Sequence, residues 1–429
     1  MSPCWRSCLA VVSAFPLLNG TSGAQEKLSL QQAIDMALHQ NPQLVVAQQE
    51  IASAQGRSVQ AGALPPTEVF SRVNEISFDL AGQDEIEIGL SQSFEFPGKR
   101  RGRKAVAQAD RQIAELQLAR LRALLAGAVK KRYYENLAAD ENLASQKFAV
   151  QILAELQQLL TVRYRSGAAS YVDVVRARVE LGRGRSALAG AQQEQIAALA
   201  RLSLLLGRES SLPVQFSDSL AYEPLPLHRD SLLAPLVRQS RLRQIFLIAV
   251  ERQRSALQLA HLAGRPDFSL GASFQRIAEN PPFTAARPEG EIVSAFGIEA
   301  SISLPLFHRA GPKGEVQSAW AELTAAEARL AYVEQQLRRN VEVVFLAVAA
   351  AEKQVVEFRD VVMPESQNAV NAAAAAYQSG QIALTDVLDI YRTARQARLE
   401  KSRAIFDYLS ARADLETVGE SVVLNSMLE

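Results

Sequence analysis

From residue 85 to residue 96 apolar and polar side chains alternate: Ile86, Ile88, Leu90, Phe94 and Phe96 against Glu85, Glu87, Ser91, Ser93 and Glu95. A period of two sustained this long predicts a β-strand with one apolar and one polar face. The rhythm returns in 268–275, where Phe268, Leu270, Ala272 and Phe274 alternate with Ser269, Gly271, Ser273 and Gln275. It appears again through Ile292, Phe296, Ile298, Ile302 and Leu304, and more weakly in 69–80. Turn residues at 81–84 and a proline-rich loop at 279–290 join these runs into two hairpins. Elsewhere the period is helical. Amphipathic helices are predicted near 28–62 and 229–263, ending at Leu64-Pro65-Pro66 and Arg265-Pro266. The stretches 99–163 and 313–377 are rich in Ala, Leu, Glu, Gln and Arg, with Pro364 the only proline. Continuous helices of this size reach roughly 90–100 Å at about 1.5 Å per residue.

The order of elements occurs twice. Tyr164-Arg165-Ser166-Gly167 followed by Asp173-Val174-Val175 returns as Tyr377-Gln378-Ser379-Gly380 and Asp386-Val387-Leu388. Each copy reads helix, proline break, two strands, long helix, Tyr-x-Ser-Gly turn and returning helix, as expected of a duplicated domain. The expected organisation is a leader at 1–24, a first repeat at 25–207 and a connector at 208–229 bearing Pro213, Pro224 and Pro226. A second repeat at 230–418 and a weakly ordered tail at 419–429 complete it.

Composition narrows the class. A chain of 429 residues with 48% hydrophobic content can bury a large core, and a mean hydropathy near zero argues against a polytopic helical membrane protein. Forty-six basic residues balance forty-six acidic ones, so net charge offers no nucleic-acid partner. Arg6, an apolar run from Leu9 to Leu18 and Ser22-Gly23-Ala24 form an export signal, with cleavage expected after Ala24. Both cysteines, Cys4 and Cys8, lie inside it, leaving the mature chain without disulfides or thiolate sites.

Strands of about ten residues with one apolar and one polar face suit a transmembrane barrel with lipid outside and water inside. A soluble sheet covering a core shows the same alternation. Four strands cannot close a barrel, and open edges in hydrocarbon cost several kcal/mol per unpaired backbone group, so a membrane-spanning version must be an oligomer. The helical periodicity alone favours a coiled-coil adaptor or structural protein without a pore. Catalysis has no footing: His39, His228, His261 and His308 are scattered, and no phosphate loop or nucleophile elbow is present. No cofactor and no high-affinity metal site is expected.

Several phrases together resemble the TolC-like outer-membrane efflux proteins: Leu28-Ser29-Leu30-Gln31-Gln32-Ala33-Ile34 with Asn41-Pro42, Phe94-Glu95-Phe96-Pro97-Gly98-Lys99-Arg100, Leu304-Pro305-Leu306-Phe307, and the two Tyr-x-Ser-Gly turns. The resemblance covers about 28 to 418, and Glu95 to Arg100 with Arg103 is most similar to the heavy-metal branch, the CzcC and CusC proteins. It implies an α+β fold in which a trimer completes a membrane β-barrel, four strands per protomer, continuous with a long periplasmic α-helical barrel. It also implies an outer-membrane location with contact to lipid, a periplasmic membrane-fusion adaptor, and an inner-membrane resistance-nodulation-division pump. The expected function is a passive exit duct for toxic solutes, heavy-metal cations foremost. A multidrug or protein-secretion duct of the same architecture remains the alternative.

The resemblance places Tyr377, Asp386 and Asp389 at the periplasmic gate, the tyrosine latching the closed state and the aspartates forming acidic rings that attract cations. Asp386 and Asp389 are three apart and share a helix face; as first-turn acids they equally suit a helix N-terminus. The family's latching arginine, two residues after the tip glycine, is Ile382 here. In the first copy Tyr164, Gly167 and Asp173 correspond, but Arg176 stands where the second acid would be, suggesting an Asp389–Arg176 pair between neighbouring tips. Gly167 and Gly380 fit sharp helix-to-helix turns. With Tyr164, Ser166, Asp173, Arg176 and Ser379 they mark the expected adaptor-docking tips.

Overall fold

A computed structural model describes residues 27–74, 85–208, 214–225, 229–279, 291–304 and 310–421. The expected leader, the turn at 81–84, most of the 279–290 loop, Pro213, Pro226, His228, the segment 305–309 with His308, and residues 422–429 lie outside them.

The first copy contains β1 (Lys27–Leu28), α1 (Leu30–Gln40), α2 (Pro42–Ala61), β2 (Thr67–Asn74), β3 (Glu85–Phe94), α3 (Lys99–Arg165) and α4 (Tyr171–Leu206). After β4 (Gln215–Phe216) the second copy follows with α5 (Arg229–Gln239), α6 (Arg241–Ala263), β5 (Phe268–Glu279), β6 (Glu291–Ile302), α7 (Ala310–Glu357), α8 (Met363–Gln378) and α9 (Leu384–Thr417). A five-residue π-helical segment, Phe358–Val362, joins α7 to α8.

The helices expected near 28–62 and 229–263 are each two. In the first, Asn41 is extended at φ −70°, ψ 122° because Pro42 disfavours helical geometry before it; its side chain accepts from Gln43 N–H at 2.9 Å. In the second, Ser240 takes the equivalent place and accepts from Arg243 N–H at 3.1 Å. Both breaks are buried, Asn41 donating to Leu205 O at 3.1 Å and Ser240 to Gly419 O at 2.5 Å.

The strands form one antiparallel sheet in the order β2-β3-β5-β6, so the two copies meet at β3 and β5, with Phe94 opposite Phe268 and Ile86 opposite Arg276. One face carries Val69, Ile88, Leu90, Leu270, Phe274, Phe296, Ile298 and Ile302, all exposed, with Phe296 and Ile298 at 87% and 90%. The other carries Glu87, Ser91, Ser93, Ser269, Ser273 and Gln275. Arg72 pairs with Glu87 at 2.9 Å on that polar face.

Below the sheet α3, a single helix of 67 residues and about 100 Å, packs against α2 and α6 near the strands and against α4 and α9 farther down. A two-stranded parallel pair of β1 and β4 wraps the middle of the bundle. There the fully buried Tyr133 of α3 donates its hydroxyl to Asp218 Oδ2 at 2.7 Å, sharing it with Leu28 O at 2.9 Å, with its ring edge-on to Phe216 at 5.1 Å. Burial pushes the tyrosine pKa up, and the hydroxyl it donates holds Asp218 below the usual carboxylate range. The second copy answers with Tyr408 of α9, also fully buried, donating to Glu223 O at 2.8 Å and packed at 5.1 Å on Tyr222. The expected connector is thus a girdle that staples both copies at their waist.

The expected tail starts at Gly419, and residues 422–429 of it lie outside the described residues. Gly419 and Glu420 stay packed, Glu420 O accepting from Arg120 Nε at 2.6 Å and its carboxylate from Arg241 at 2.7 Å. Among the described residues no helix is long and apolar enough to cross a membrane.

Removing only the hydroxyl, Tyr133→Phe, leaves Leu28 O and Asp218 without that donor. The expected loss is about 1–2 kcal/mol, read as a lower thermal midpoint of the purified protein, with an Asp218 pKa returning toward its ordinary value.

Candidate functional site

The two helix-to-helix turns at the far end of the bundle are built alike. Gly167 and Gly380 sit at φ 76° and 75°, a left-handed geometry that a β-carbon strains. Each closes a double backbone loop: Gly167 N donates to Tyr164 O at 3.0 Å and Ala168 N to Arg163 O at 2.8 Å, while Gly380 N donates to Tyr377 O at 3.1 Å and Gln381 N to Ala376 O at 2.8 Å. No atom lies within 4 Å of a β-carbon placed at either glycine, so the requirement is conformational rather than steric. Ser166 and Ser379 donate back to Arg163 O and Ala376 O, at 2.9 and 3.0 Å.

The capping of the following helices differs. Ser170 accepts from Val172 N–H at 3.2 Å at the start of α4, with Asp173 in the first turn. At α9 the cap position is Ala383, and the Asp386 carboxylate reaches back to accept the Ala383 N–H at 3.1 Å. Asp386 therefore does the helix-starting work expected of a first-turn acid, and it stays exposed.

The tyrosines also part ways. Tyr377 is half-buried against an apolar cluster of Leu153, Leu160, Val174, Ala177, Leu181, Leu384 and Leu388, which fastens the second tip to the α3–α4 hairpin. Tyr164 is exposed and packs on exposed Tyr171, ring centroids 5.6 Å apart.

Within one chain Asp389 has a different partner from the Arg176 expected of a neighbouring tip. Its carboxylate takes Arg392 Nη1 at 2.5 Å, one turn along α9, and not Arg176. Arg392 also grips Glu180 of α4 with two nitrogens, Nη2 in close contact and Nε at 3.2 Å. Arg183 adds a contact to Glu180 at 2.9 Å. The paired arginines, Arg392 foremost, hold Glu180 below the usual carboxylate range although its burial pushes the other way. Arg176 and Asp389 line one cleft between α4 and α9, about 320 Å³, with Val175, Val179, Glu180 and Arg392. Among the described residues Arg176 forms no ion pair, so a pair with another copy's tip stays open to it.

Glu180 and Arg392 were not singled out in the sequence. The signal was present: α4 and α9 are equivalent under the offset of 213 that relates Tyr164 to Tyr377, so Arg392 answers to position 179 and stands at the height of Glu180. Among the described residues no three His, Cys, Asp or Glu side chains converge as metal ligands.

Two segments, residues 33–208 and 244–418, match the sequence profile described as outer membrane efflux protein. The chain belongs to that family. The matched segments fall one in each copy, in keeping with the duplication. It is 27% identical over 386 residues to the cobalt-zinc-cadmium resistance protein CzcC of Cupriavidus metallidurans, covering 87% of this chain and 85% of that one. The pyoverdine export outer membrane protein OpmQ of Pseudomonas putida is 24% identical over 430 residues, covering 90% and 84%. Among solved structures CusC superposes with a TM-score of 0.78 at 18% identity, over 94% of this chain and 95% of that one, which shows a shared fold. The protein is an outer-membrane efflux channel of the TolC type and not an enzyme, with its sheet in the membrane and its helices forming a periplasmic tunnel.

The Glu180–Arg392 pair ties α9 to α4 only while the carboxylate is ionised. Because the folded pKa lies below the unfolded value, the stabilisation is present above that unfolded value and is lost as pH falls through the folded one. Glu180→Gln should loosen the start of α9 by about 1–2 kcal/mol, less than a fully buried pair would lose because Arg392 still meets water. Hydrogen exchange of the 384–392 amides should quicken in the variant at neutral pH. Acidification should lower the protection of these amides, after correction for the pH dependence of intrinsic exchange, much more in the wild type than in the variant.

Proposed function

We propose that three copies associate into the exit duct of a tripartite efflux system whose cargo is heavy-metal cations. One observation carries the assembly: a four-stranded sheet with an exposed apolar face has both edges, β2 and β6, open within the membrane. Closing the ring pairs β6 of one copy with β2 of the next and yields twelve strands. The helices support the same arrangement. Val45, Val46 and Val59 on α2 and Trp320, Val343 and Leu346 on α7 are exposed apolar side chains on the flanks that a ring of copies would bury.

Within the ring Tyr377, Asp386 and Asp389 stand at the periplasmic constriction. Asp389 is partly neutralised by Arg392, so Asp386 carries most of the attraction for cations. The exposed turns with Tyr164, Ser166, Gly167, Asp173, Arg176, Ser379 and Gly380 are the docking points for a periplasmic adaptor, which links the channel to an inner-membrane resistance-nodulation-division pump. Similarity to CzcC, a protein named for cobalt, zinc and cadmium resistance, supports the metal cargo. Similarity to the pyoverdine export protein OpmQ favours a second reading in which the cargo is an organic molecule.

Deletion of the gene should sensitise cells to zinc, cobalt and cadmium salts, with complementation by the wild type. Sensitivity confined to dyes, detergents and antibiotics would move the assignment to an organic-solute duct. In planar bilayers Asp386→Ala should lower the preference for cations over anions roughly fivefold, the effect of about 1 kcal/mol for a charge lining a wet constriction.

A further inference from the structure

The turn from β3 into α3 holds a run of cations, Lys99, Arg100, Arg101, Arg103 and Lys104, that the conduit function does not use. Two of them are committed. Lys99 binds the Asp267 carboxylate at 2.9 Å and Arg265 O at 2.9 Å, and Arg103 pairs closely with Glu95. Those bonds fix the corner: Asp267 also accepts the Phe96 N–H at 2.7 Å. The other three, Arg100, Arg101 and Lys104, are exposed and form no ion pair among the described residues. The first turn of α3 contains no acid, and Gly98 supplies no side-chain cap, so three unpaired cations crowd the positive end of a long helix dipole. That arrangement is unfavourable unless negative charge arrives from elsewhere.

Position says where it arrives from. The last paired row of the sheet, Phe94 stacked on Phe268 at 5.6 Å, belongs to the apolar outer face, and Arg265 lies 5.7 Å over the ring of Phe96 just beyond it. An aromatic belt with an arginine lying across it marks the edge of the hydrocarbon. Residues 99–104 extend only about 8 Å further at 1.5 Å per residue, within the layer occupied by headgroups. Glu95 continues the polar, inward parity of Ser91 and Ser93, so Arg103 points to the lumen side. Arg101, two residues from both Lys99 and Arg103, is turned about 200° away from them. Because α3 packs against both α2 and α6 of its own copy, the ring proposed above places a neighbouring protomer beyond those helices.

We propose that Arg100, Arg101 and Lys104 form a collar that binds anionic phospholipid headgroups of the periplasmic leaflet. The collar fixes the depth of the barrel and the start of the tunnel. Charge complementarity and continuity with the lipid-facing belt select lipid over a protein partner.

Native mass spectrometry of the full-length channel, released from detergent with phosphatidylglycerol or phosphatidylethanolamine, tests this. The wild type should retain phosphatidylglycerol preferentially. Arg100→Gln/Arg101→Gln/Lys104→Gln should weaken that retention by roughly fivefold per cation at low salt. Removal of three cations from the shaft, Arg122→Gln/Lys147→Gln/Arg403→Gln, should leave it intact, and Arg100→Lys/Arg101→Lys should preserve it because charge rather than guanidinium shape acts. The mass of the assembly in the same spectra reports folding. Equal retention by the triple variant and the wild type overturns the proposal, as does equal retention of the two lipids. Displacement by inorganic phosphate beyond the effect of chloride at matched ionic strength also overturns it, because the site would then read a free anion.

Discussion

In hydrocarbon every backbone N–H and C=O must find a partner within the protein, and this constraint organises the molecule. Four strands satisfy it along three seams, β2 with β3, β3 with β5 and β5 with β6, and leave two edges unsatisfied. The central seam is itself a junction between the two copies. A second junction of the same kind, with β6 standing in for β3 and β2 for β5, is what ring closure requires. Duplication thus produces a unit whose two ends fit one another, the geometric basis of the proposed ring.

The tunnel inherits its form from the sheet. Each hairpin hands its strands directly to long helices, and the corner at Phe96, Lys99 and Asp267 sets the angle at which α3 leaves the membrane. Over such a length small errors in that angle would displace the tips widely, which explains the girdle at mid-height. Tyr133 and Tyr408, one from each copy, bond the connector and the segment before α1 to the bundle. Tyr222 adds its hydroxyl to Glu352 at 2.9 Å and its ring to Arg359 of the π-helical segment at 5.5 Å. Below the girdle the second tip is held by a handful of apolar contacts and the Glu180–Arg392 pair.

Much of this was legible in the residues. Alternation marked β3, β5 and β6 because each has one wet and one lipid face, and the Tyr-x-Ser-Gly turns and long proline-free stretches marked the tips and shafts. The breaks at Asn41 and Ser240 were missed because amphipathic periodicity continues across them; only Pro42 and the capping side chains betray them. The strands β1 and β4 have two residues each, too few for any period. The π-helical segment leaves no pattern beyond Pro364 close after it, since one extra residue in a turn hardly shifts the hydrophobic phase. At the tip, residue types pointed to Asp386 and Asp389, but not to Arg392 bridging Asp389 and the Glu180 that α4 brings from the first repeat.

The central claim is closure of the barrel between copies, and directed cross-linking addresses it most directly. Ile88 faces Phe274 across the β3–β5 seam; by the internal repeat, Ile298 of one copy should face Val73 of the next. With Cys4 and Cys8 replaced by serine, the Ile298→Cys/Val73→Cys protein should give covalent trimers on mild oxidation in the outer membrane, and each single variant should not. A double variant that stays monomeric on denaturing gels, although folded and membrane-inserted, would contradict closure through β6 and β2.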